Sequence, residues 1–504
     1  MSTILILQGG LSHKRHFSDY HIFSSLLKKK YNIDKIESVI CNGLIKNCDF
    51  SNPGYNLSNK LFYNIRSNRV CNKCSREVIS NIQNFVDAIH FLDHNLPFIN
   101  FDLIEDQIQT VKRKKTYSSN EFISLRYKNI NIGKYVFETF QRTKKLGRLD
   151  TFNINNETYL LNLLRDAYIL TDAVIIFFEM NKFKFIITNE FSYMYWSIFT
   201  QIAFNYNIPV FHICYKSRPN LVNLFQRNCN KDLQLNPFWN QSNLDNFFTQ
   251  KNNVKNVFKN EKLRKEIEQY YDKPFVLYSD SNDIINNLGY RDNGKKNIFI
   301  YCHLNWDSSL SYGTPLFSFF EDWIEHTLLI ANNYPEYNWI FKLHPIEKMF
   351  KAQGQLNIEF STLNIIKRNK NFKTKNMYII EENLSNDLFI NDIDLAISSG
   401  GSVCYQLPQY GIPVINVNSG LHGNFGFTHD PKNICEYEKI FNNESIFDKL
   451  TDNQKTIAEL YETIYLDESQ YFDTNPLIYD ANKNEKEIDK TELEIWINNN
   501  IHKI

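Results

Sequence analysis

Between residues 297 and 417, short apolar runs alternate with amphipathic segments, and this alternation constrains the fold more than any other feature of the sequence. Short apolar runs bounded by polar residues are typical of buried strands, and longer amphipathic segments are typical of helices. Strands that alternate with helices pair in parallel, because each helix returns the chain across one face of the sheet. The predicted strands are 297–302, 339–343, 377–380, 394–397 and 414–417, and the predicted helices are 316–331, 384–390 and 403–410.

The first half shows the same pattern less regularly. Residues 4–7 are predicted to form a strand that ends in Gln8-Gly9-Gly10, and a helix is predicted over 18–29. A second strand, helix and strand are predicted over 183–188, 195–206 and 208–213. We therefore expect an α/β fold with two Rossmann-like domains that face each other across a cleft. The expected divisions are 1–290 for an N-terminal Rossmann-like domain with helical insertions, 291–440 for a C-terminal Rossmann-like domain, and 441–504 for C-terminal helices.

Charge and hydropathy exclude some classes of protein. Among the 504 residues, 56 lysines and arginines balance 56 aspartates and glutamates, so we expect no nucleic-acid partner. Residues 1–7 lack the basic start and long apolar run of a signal peptide, and polar residues interrupt the apolar stretch 168–180. We therefore expect a cytoplasmic protein without a spanning helix. The basic run 112–115 is either a solvated helix or loop face or a patch that attaches the protein peripherally to the inner membrane.

A histidine-proline pair follows the predicted strand 339–343. Proline keeps the residue before it extended, so His344 is expected at the exit of the strand, with Lys342 two residues earlier on the same strand face. An imidazole in this position can donate a hydrogen bond to a phosphate oxygen. The alternative is a histidine that only ends the strand and bonds to the backbone.

A serine- and glycine-rich loop joins the predicted strand 394–397 to the predicted helix 403–410. Its residues are Ser398, Ser399, Gly400, Gly401 and Ser402, and Ser402 is the expected N-cap. Glycines allow backbone amides to converge, and a helix N-terminus favours an anion, so the loop predicts a phosphate site. The alternative is a tight turn that needs glycine, with serines as caps.

Three other polar residues follow predicted strands. Asn305 and Asp307 come after strand 297–302 and could contact a sugar or an acceptor hydroxyl, or form an Asx-turn. Glu190 follows strand 183–188 and suits a general base, or caps the next helix.

Four cysteines in the first half have spacing that partly matches a metal site. They are Cys41, Cys48, Cys71 and Cys74, of which the last two form a Cys-x-x-Cys pair. A structural zinc site and four reduced thiols are both consistent with this spacing.

Several motifs in the second half occur in a familiar order. They are Trp306-Asp307, Lys342-Leu343-His344-Pro345, Ser398 to Ser402, Tyr410-Gly411-Ile412-Pro413-Val414 and His422-Gly423-Asn424-Phe425-Gly426-Phe427. Over about residues 296–435 this order resembles the bacterial capsular polysaccharide biosynthesis glycosyltransferases, a GT-B fold group that includes Kdo transferases of capsule assembly. Asn129 to Lys134, before a helix that holds Arg142, is similar to related surface-glycan enzymes.

The resemblance implies a cytoplasmic, metal-independent GT-B glycosyltransferase that moves a sugar from a CMP- or UDP-sugar donor to a surface polysaccharide or glycolipid acceptor. No cofactor is expected to be required. A structural zinc at the four cysteines remains one of the two alternatives given above. The expected donor-binding residues are Lys342, His344, Ser398, Ser399, Gly400, Gly401, Ser402, Asn305 and His422. The expected catalytic residues are Glu190, Asp307 and His344. The alternatives are a teichoic-type alditol-phosphate transferase, a sugar-nucleotide epimerase and a non-catalytic capsule-assembly protein.

Overall fold

The computed structural model describes residues 2–8, 14–41, 44, 74–92, 99–215, 221–228, 247–249, 289–291, 293–307, 310–311, 315–380, 384, 386–465, 472–479 and 485–504. The chain divides into two compact units. Unit 1 comprises Met1–Lys144, Leu149–Asp232 and Glu468–Ile504, and unit 2 comprises Lys145–Arg148 and Leu233–Asp467.

Unit 1 is built on a mixed sheet whose central strands are parallel. The first eight strands of the chain are β1 Thr3–Gln8, β2 Lys35–Cys41, β3 Ala88–Leu92, β4 Thr116–Tyr117, β5 Phe152–Asn153, β6 Phe185–Thr188, β7 Val210–Tyr215 and β8 Leu221–Arg227. The order β7-β6-β1-β2-β3 is parallel throughout, and β8 pairs with β7 in the antiparallel sense. This order is that of a Rossmann-like sheet, whose direction of growth reverses between β1 and β6.

The helices of unit 1 pack on its sheet and on one another. They are α1 Lys14–Tyr31, α2 at residues 74–82, α3 Phe101–Lys114, α4 Ser119–Ile123, α5 Ile132–Lys144, α6 Thr158–Met180 and α7 Met194–Asn205. The apolar stretch 168–180 lies in α6, where buried Asp172 accepts a hydrogen bond from Tyr127 and pairs with Lys128. Within the described part of the chain, no helix is long and apolar enough to cross a membrane.

Unit 2 contains a parallel sheet of five strands. They are β9 Asn297–Tyr301, β10 Asn338–Lys342, β11 Met377–Ile380, β12 Leu395–Ser398 and β13 Val414–Asn416, in the order β11-β10-β9-β12-β13. The helices are α8 Phe320–Asn333, α9 Pro345–Ala352, α10 Thr362–Arg368, α11 Val403–Gln406, α12 Ile434–Lys439 and α13 Asp452–Tyr465. Within the described residues, the predicted helix 384–390 is only a 3-10 turn at Asn386–Leu388. Both units therefore confirm the predicted α/β class with two Rossmann-like sheets.

The last part of the chain returns to unit 1. Strand β14 Phe472–Asp473 pairs with β8, and α14 Asn475–Ile478 and α15 Lys490–Asn500 follow it. Trp496 of α15 packs against Phe23 and Phe472, with ring centroids 6.3 Å and 5.8 Å apart. The contacts thus differ from the expected three-part division at 290 and 440, because buried aromatic side chains near the C-terminus complete the core of unit 1.

A short segment, Lys145–Arg148, belongs to unit 2 although its neighbours in sequence belong to unit 1. The backbone amide of Arg148 donates to Oε2 of buried Glu321 at 2.9 Å, and Arg368 donates to Oε1 of the same carboxylate at 2.6 Å. The Glu321 carboxylate is therefore fixed from two sides, directly beside Gly147.

Replacement of Gly147 by alanine is expected to lower the free energy of unfolding of unit 2 by about 1–3 kcal/mol, the usual effect of overpacking. An added Cβ would lie 2.4 Å from Glu321 Oε2 and 3.2 Å from Phe360 Cδ1. The control is Gly289→Ala, where no atom lies within 4 Å of the added Cβ. Calorimetry of both variants checks this, and equal melting temperatures would show that the Glu321 side chain gives way freely.

Candidate functional site at the carboxyl edge of the second sheet

Three adjacent strands of unit 2 end in register. Lys342 of β10 is opposite Tyr301 of β9, and Tyr301 is opposite Ser398 of β12. Ligands of open α/β sheets bind outside the carboxyl ends of the strands at the position where the strand order reverses, which here lies between β9 and β12. The residues that follow these three strands are therefore the candidate site, and they include His344 and the loop 398–402.

Two imidazoles lie together at this edge. The rings of His303, which follows β9, and His344, which follows β10, have centroids 5.7 Å apart. His303 also stacks on Phe320, with centroids 4.3 Å apart and an interplanar angle of 17°. His344 was predicted from the sequence as a site residue, whereas His303 was not. Its position directly after the first strand of the sheet was the available signal.

The backbone fixes which ring nitrogen of each histidine carries the proton. Nδ1 of His303 accepts from the Leu304 amide at 2.8 Å, and Nδ1 of His344 accepts from the Ile346 amide at 3.3 Å. A neutral imidazole that accepts at Nδ1 carries its hydrogen on Nε2. Each ring therefore has one Nε2–H group to donate to a ligand.

Burial keeps both rings neutral. Burial, the neighbouring His303 and the Lys342 charge together lower the pKa of His344 to about 3. Burial also lowers the pKa of His303, an effect that Asp307 opposes. At neutral pH the two rings therefore add no positive charge beside Lys342, which is 5% exposed at the end of β10.

The loop 398–402 is held by side chains beneath it. Gly400 has φ +77°, and an added Cβ would lie 2.8 Å from Leu421 Cβ, so glycine is required there. The Gly400 amide donates to Asn416 Oδ1 at 3.1 Å, and the Gly401 amide donates to Ser398 Oγ at 3.2 Å. These two amides bond within the protein. Among the described residues, the structure gives the amides of Ser399 and Ser402 no acceptor.

The helix after this loop is shorter than the predicted 403–410. Only Val403–Gln406 is α-helical, and a 3-10 turn at Leu407–Tyr410 continues it to Gly411. Ser402 occupies the N-cap position but has helical backbone angles, φ −56° and ψ −26°, and makes no side-chain capping bond; its hydroxyl donates to Gln406 at 3.3 Å. A helix of one turn has little macrodipole, so any phosphate binding here depends on the polar groups of the loop.

Asn305 and Asp307 have different surroundings. Asn305 is buried, and its amide nitrogen donates to Phe360 O and Thr362 Oγ1, both at 3.2 Å. These bonds join the segment after β9 to the start of α10, so the structure gives Asn305 a role in holding that segment. Asp307 is half-buried, and its amide donates to Leu304 O at 3.3 Å.

His422 lies within a cluster of aromatic rings. Its Nδ1 is 2.7 Å from the hydroxyl of Tyr461, and the rings of Tyr405 and Tyr465 lie 4.9 Å and 5.5 Å from its own. The side chain is 7% exposed. These contacts place His422 between α11 and α13, and its donor contact remains a prediction.

Glu190 belongs to unit 1, at the carboxyl end of β6. Its Oε1 accepts from the amides of Phe191 and Ser192, both at 2.8 Å, and from Ser192 Oγ at 2.6 Å. With these bonds Glu190 orders the turn before α7. This fits the alternative given above, in which Glu190 caps the next helix. Glu190 thus has a structural role in the turn, and its role as a base remains a prediction.

The predicted zinc ligands lie partly outside the described residues. Cys48 and Cys71 are not described, whereas Cys41 and Cys74 are. Among the described residues, no group of three or more His, Cys, Asp and Glu side chains could hold a metal ion. The four-cysteine prediction stays untested.

A cysteine-histidine pair that sequence analysis missed lies on β7. Cys214 Sγ is 2.9 Å from His212 Nδ1, and both side chains are buried. Alternation along a strand places residues 212 and 214 on one face, which was the available signal. Burial raises the pKa of the Cys214 thiol well above its usual range and lowers the pKa of His212 to about 3. Both groups are therefore neutral, unlike an activated thiolate.

The basic run 112–115 lies at the C-terminal end of α3. Lys114 pairs with Glu121 at 2.9 Å and lies 4.6 Å from the ring centre of Tyr117. Basic residues in the last turn also stabilise a helix. The contacts of Lys114 fit a solvated helix end, and peripheral attachment to a membrane stays a prediction.

Comparison with known proteins gives no family. No protein-family model and no curated protein match the sequence. The UDP-GlcNAc 2-epimerase from Neisseria meningitidis bound to UDP-GlcNAc is a similar solved structure, with 12% identity, a TM-score of 0.25, and coverage of 92% of this chain and 98% of that chain. Two others are from Thermosulfurimonas dismutans. KpsC, beta Kdo 2,4 transferase, has 12% identity, a TM-score of 0.30 and coverage of 55% and 79%. KpsC, beta Kdo 2,7 transferase, has 12% identity, a TM-score of 0.31 and coverage of 57% and 79%. At these low identities and TM-scores, the fold assignment rests on the strand order and the parallel register.

Proposed function

We propose that this chain is a glycosyltransferase that uses a nucleotide-sugar donor, a CMP- or UDP-sugar, and that the donor phosphate binds at the carboxyl edge of the unit 2 sheet. The observation that carries the proposal is the register of Lys342, Tyr301 and Ser398, because it aligns the exits of three strands at the reversal of strand order. The proposed acceptor is a surface polysaccharide or glycolipid, and peripheral attachment to a membrane stays a prediction.

The polar groups at this edge suit a phosphate. They are the Nε2–H groups of His303 and His344, the Lys342 charge, and the amides of Ser399 and Ser402. All of them are donors or cations, as direct binding of a phosphate requires. We therefore propose that the donor binds without a metal ion.

In the proposed reaction an acceptor hydroxyl attacks the anomeric carbon and the bond to the donor phosphate breaks. Negative charge grows on the leaving phosphate, and fixed donors stabilise it without reorganisation. The loss of one such donor usually lowers the rate by roughly a hundredfold or more. Asp307 or Glu190 would accept the proton of the attacking hydroxyl.

Nucleotide binding tests the proposal. We expect His303→Ala, His344→Ala and Lys342→Gln each to raise the Kd of the best ligand among CMP, UDP, GDP and CDP derivatives by about tenfold or more. The matched control is His326→Gln, because His326 lies in unit 2 but bonds to Glu438 on α12. Calorimetric titration measures the affinities, and unchanged affinity in all three site variants would refute the site.

Product analysis separates glycosyl transfer from the other predicted reactions. Conversion of the nucleotide sugar without an acceptor would identify an epimerase, and phosphorus in the elongated product would identify an alditol-phosphate transferase. Failure to bind any nucleotide would favour a non-catalytic assembly protein.

A further inference from the structure

Tyr193 in unit 1 has a backbone conformation that side chains disfavour. Its φ is +63° and its ψ is 162°, a region that is essentially restricted to glycine. The residue lies between β6 and α7, directly after the turn that Glu190 orders. Strained residues of this kind persist only where their surroundings fix them, and they cluster at functional sites.

Three side chains of α5 fix Tyr193. The Tyr193 amide donates to Glu138 Oε2 at 3.4 Å, and the next amide, of Met194, donates to Thr139 Oγ1 at 2.8 Å. Arg142 donates to the Tyr193 hydroxyl, and its guanidinium carbon lies 4.4 Å from the centre of the ring. Backbone and ring are thus both held from one helix.

This arrangement holds an exposed arginine, Arg142, in a fixed position. The Tyr193 ring is 3% exposed, whereas Arg142, which stacks on it, is exposed. A guanidinium has five N–H donors in a planar fork that matches a carboxylate or phosphate. Stacking on a buried ring removes the conformational freedom that such a side chain otherwise loses on binding.

Arg142 is held beside the edge at which a sheet of this order binds ligands. In unit 1 the order reverses between β1 and β6, and Asn189 leaves β6 there. The Asn189 amide group lies 3.0 Å from His16 Nδ1 and 2.7 Å from the Tyr20 hydroxyl, so α1 presents polar groups at the same edge. The charges next to Arg142 on α5 are buried Glu138 and half-buried Lys134.

We propose that Arg142, positioned by Tyr193, binds an oxyanion, a carboxylate or a phosphate, of the acceptor. The word acceptor rests on the proposed glycosyl transfer, whereas the oxyanion site itself does not. Arg142 would contact the ligand directly, and Tyr193 is a positioning residue.

The test measures binding of two probes, inorganic phosphate and glucuronate, to the whole chain by NMR titration. We expect Arg142→Ala and Arg142→Lys to weaken binding of one probe about tenfold or more, because lysine keeps the charge but lacks the fork. Tyr193→Phe keeps the ring and removes the hydroxyl, and we expect a smaller loss. The matched control is Arg113→Ala, because Arg113 is an exposed arginine on α3 of the same unit. This variant should bind both probes normally.

Each outcome decides one statement. Loss of phosphate binding alone assigns a phosphate-bearing ligand, and loss of glucuronate binding alone assigns a carboxylate. Equal binding by the wild type and both Arg142 variants, with unchanged melting temperatures, overturns the site. Normal binding by Tyr193→Phe overturns the role of the Tyr193 hydroxyl in positioning Arg142. Ser399→Ala should leave probe binding intact. If no nucleotide binds but the Arg142-dependent site remains, only the proposed transfer fails.

Discussion

Each unit is expected to lose about 2 kcal/mol of unfolding free energy between pH 7 and pH 5 from one histidine that stays neutral in the folded chain. In unit 1 this residue is His212, whose pKa is lowered to about 3 by burial together with the Arg227 charge. In unit 2 it is His344, whose pKa burial also lowers to about 3. The unfolded chain takes up a proton near pH 6.5 and the folded chain does not. The contribution is therefore complete above pH 6.5 and is lost as the pH falls toward 3.

Calorimetry over this pH range follows the two units as separate transitions. His212→Gln should flatten the pH dependence of one transition, and His344→Gln that of the other. The control is His502→Gln, because His502 is exposed near the C-terminus. A slope between pH 7 and pH 5 that none of the variants alters would contradict the assignment of these histidines.

Replacement of Asn416 by leucine is expected to destabilise unit 2 by about 3 kcal/mol or more and to abolish nucleotide binding. Asn416 is fully buried at the end of β13, and its Oδ1 accepts from the amides of Gly400 and Asn418 at 3.1 Å and 3.0 Å. Its Nδ2 donates to Leu421 O at 2.7 Å. Leucine would leave these three backbone groups without their partner, and each such loss costs about 1–3 kcal/mol.

The control for Asn416 is its neighbour Ile415, which is also fully buried. Ile415→Ala should destabilise the unit by about 2–5 kcal/mol through a cavity while leaving the bonds to the loop intact. Nucleotide affinity is compared at a temperature at which both variants are folded. If Asn416→Leu binds as well as Ile415→Ala, the loop 398–402 does not hold the donor.

The sheet of unit 2 could be predicted almost completely from the sequence, because each strand is a short apolar run next to an amphipathic segment. The first and last residues of the helices could not be predicted as closely. Ser402 has the residue type of a cap, but its hydroxyl bonds to Gln406 instead, and this choice depends on local geometry. The helix predicted over 403–410 changes to a 3-10 turn at Leu407, which precedes a proline.

The site was harder to predict where a side chain's partner is distant in the chain. His422 bonds to Tyr461, and no local pattern connects these two residues. Asn416 has no motif of its own, yet it fixes Gly400 of the neighbouring loop. Tyr193 is ordinary in sequence, and only the contacts from α5 show how its conformation is held.

The return of the chain to unit 1 sets an order on biosynthesis. Strand β8 is synthesised long before β14, which pairs with it, and Trp496 arrives later still. At a translation rate of about 5–20 residues per second, the interval is on the order of tens of seconds. During that time the ribosome synthesises residues 233–467 of unit 2, while β8 remains a bare edge that other chains could engage. Chaperone capture of nascent chains should therefore concentrate on unit 1.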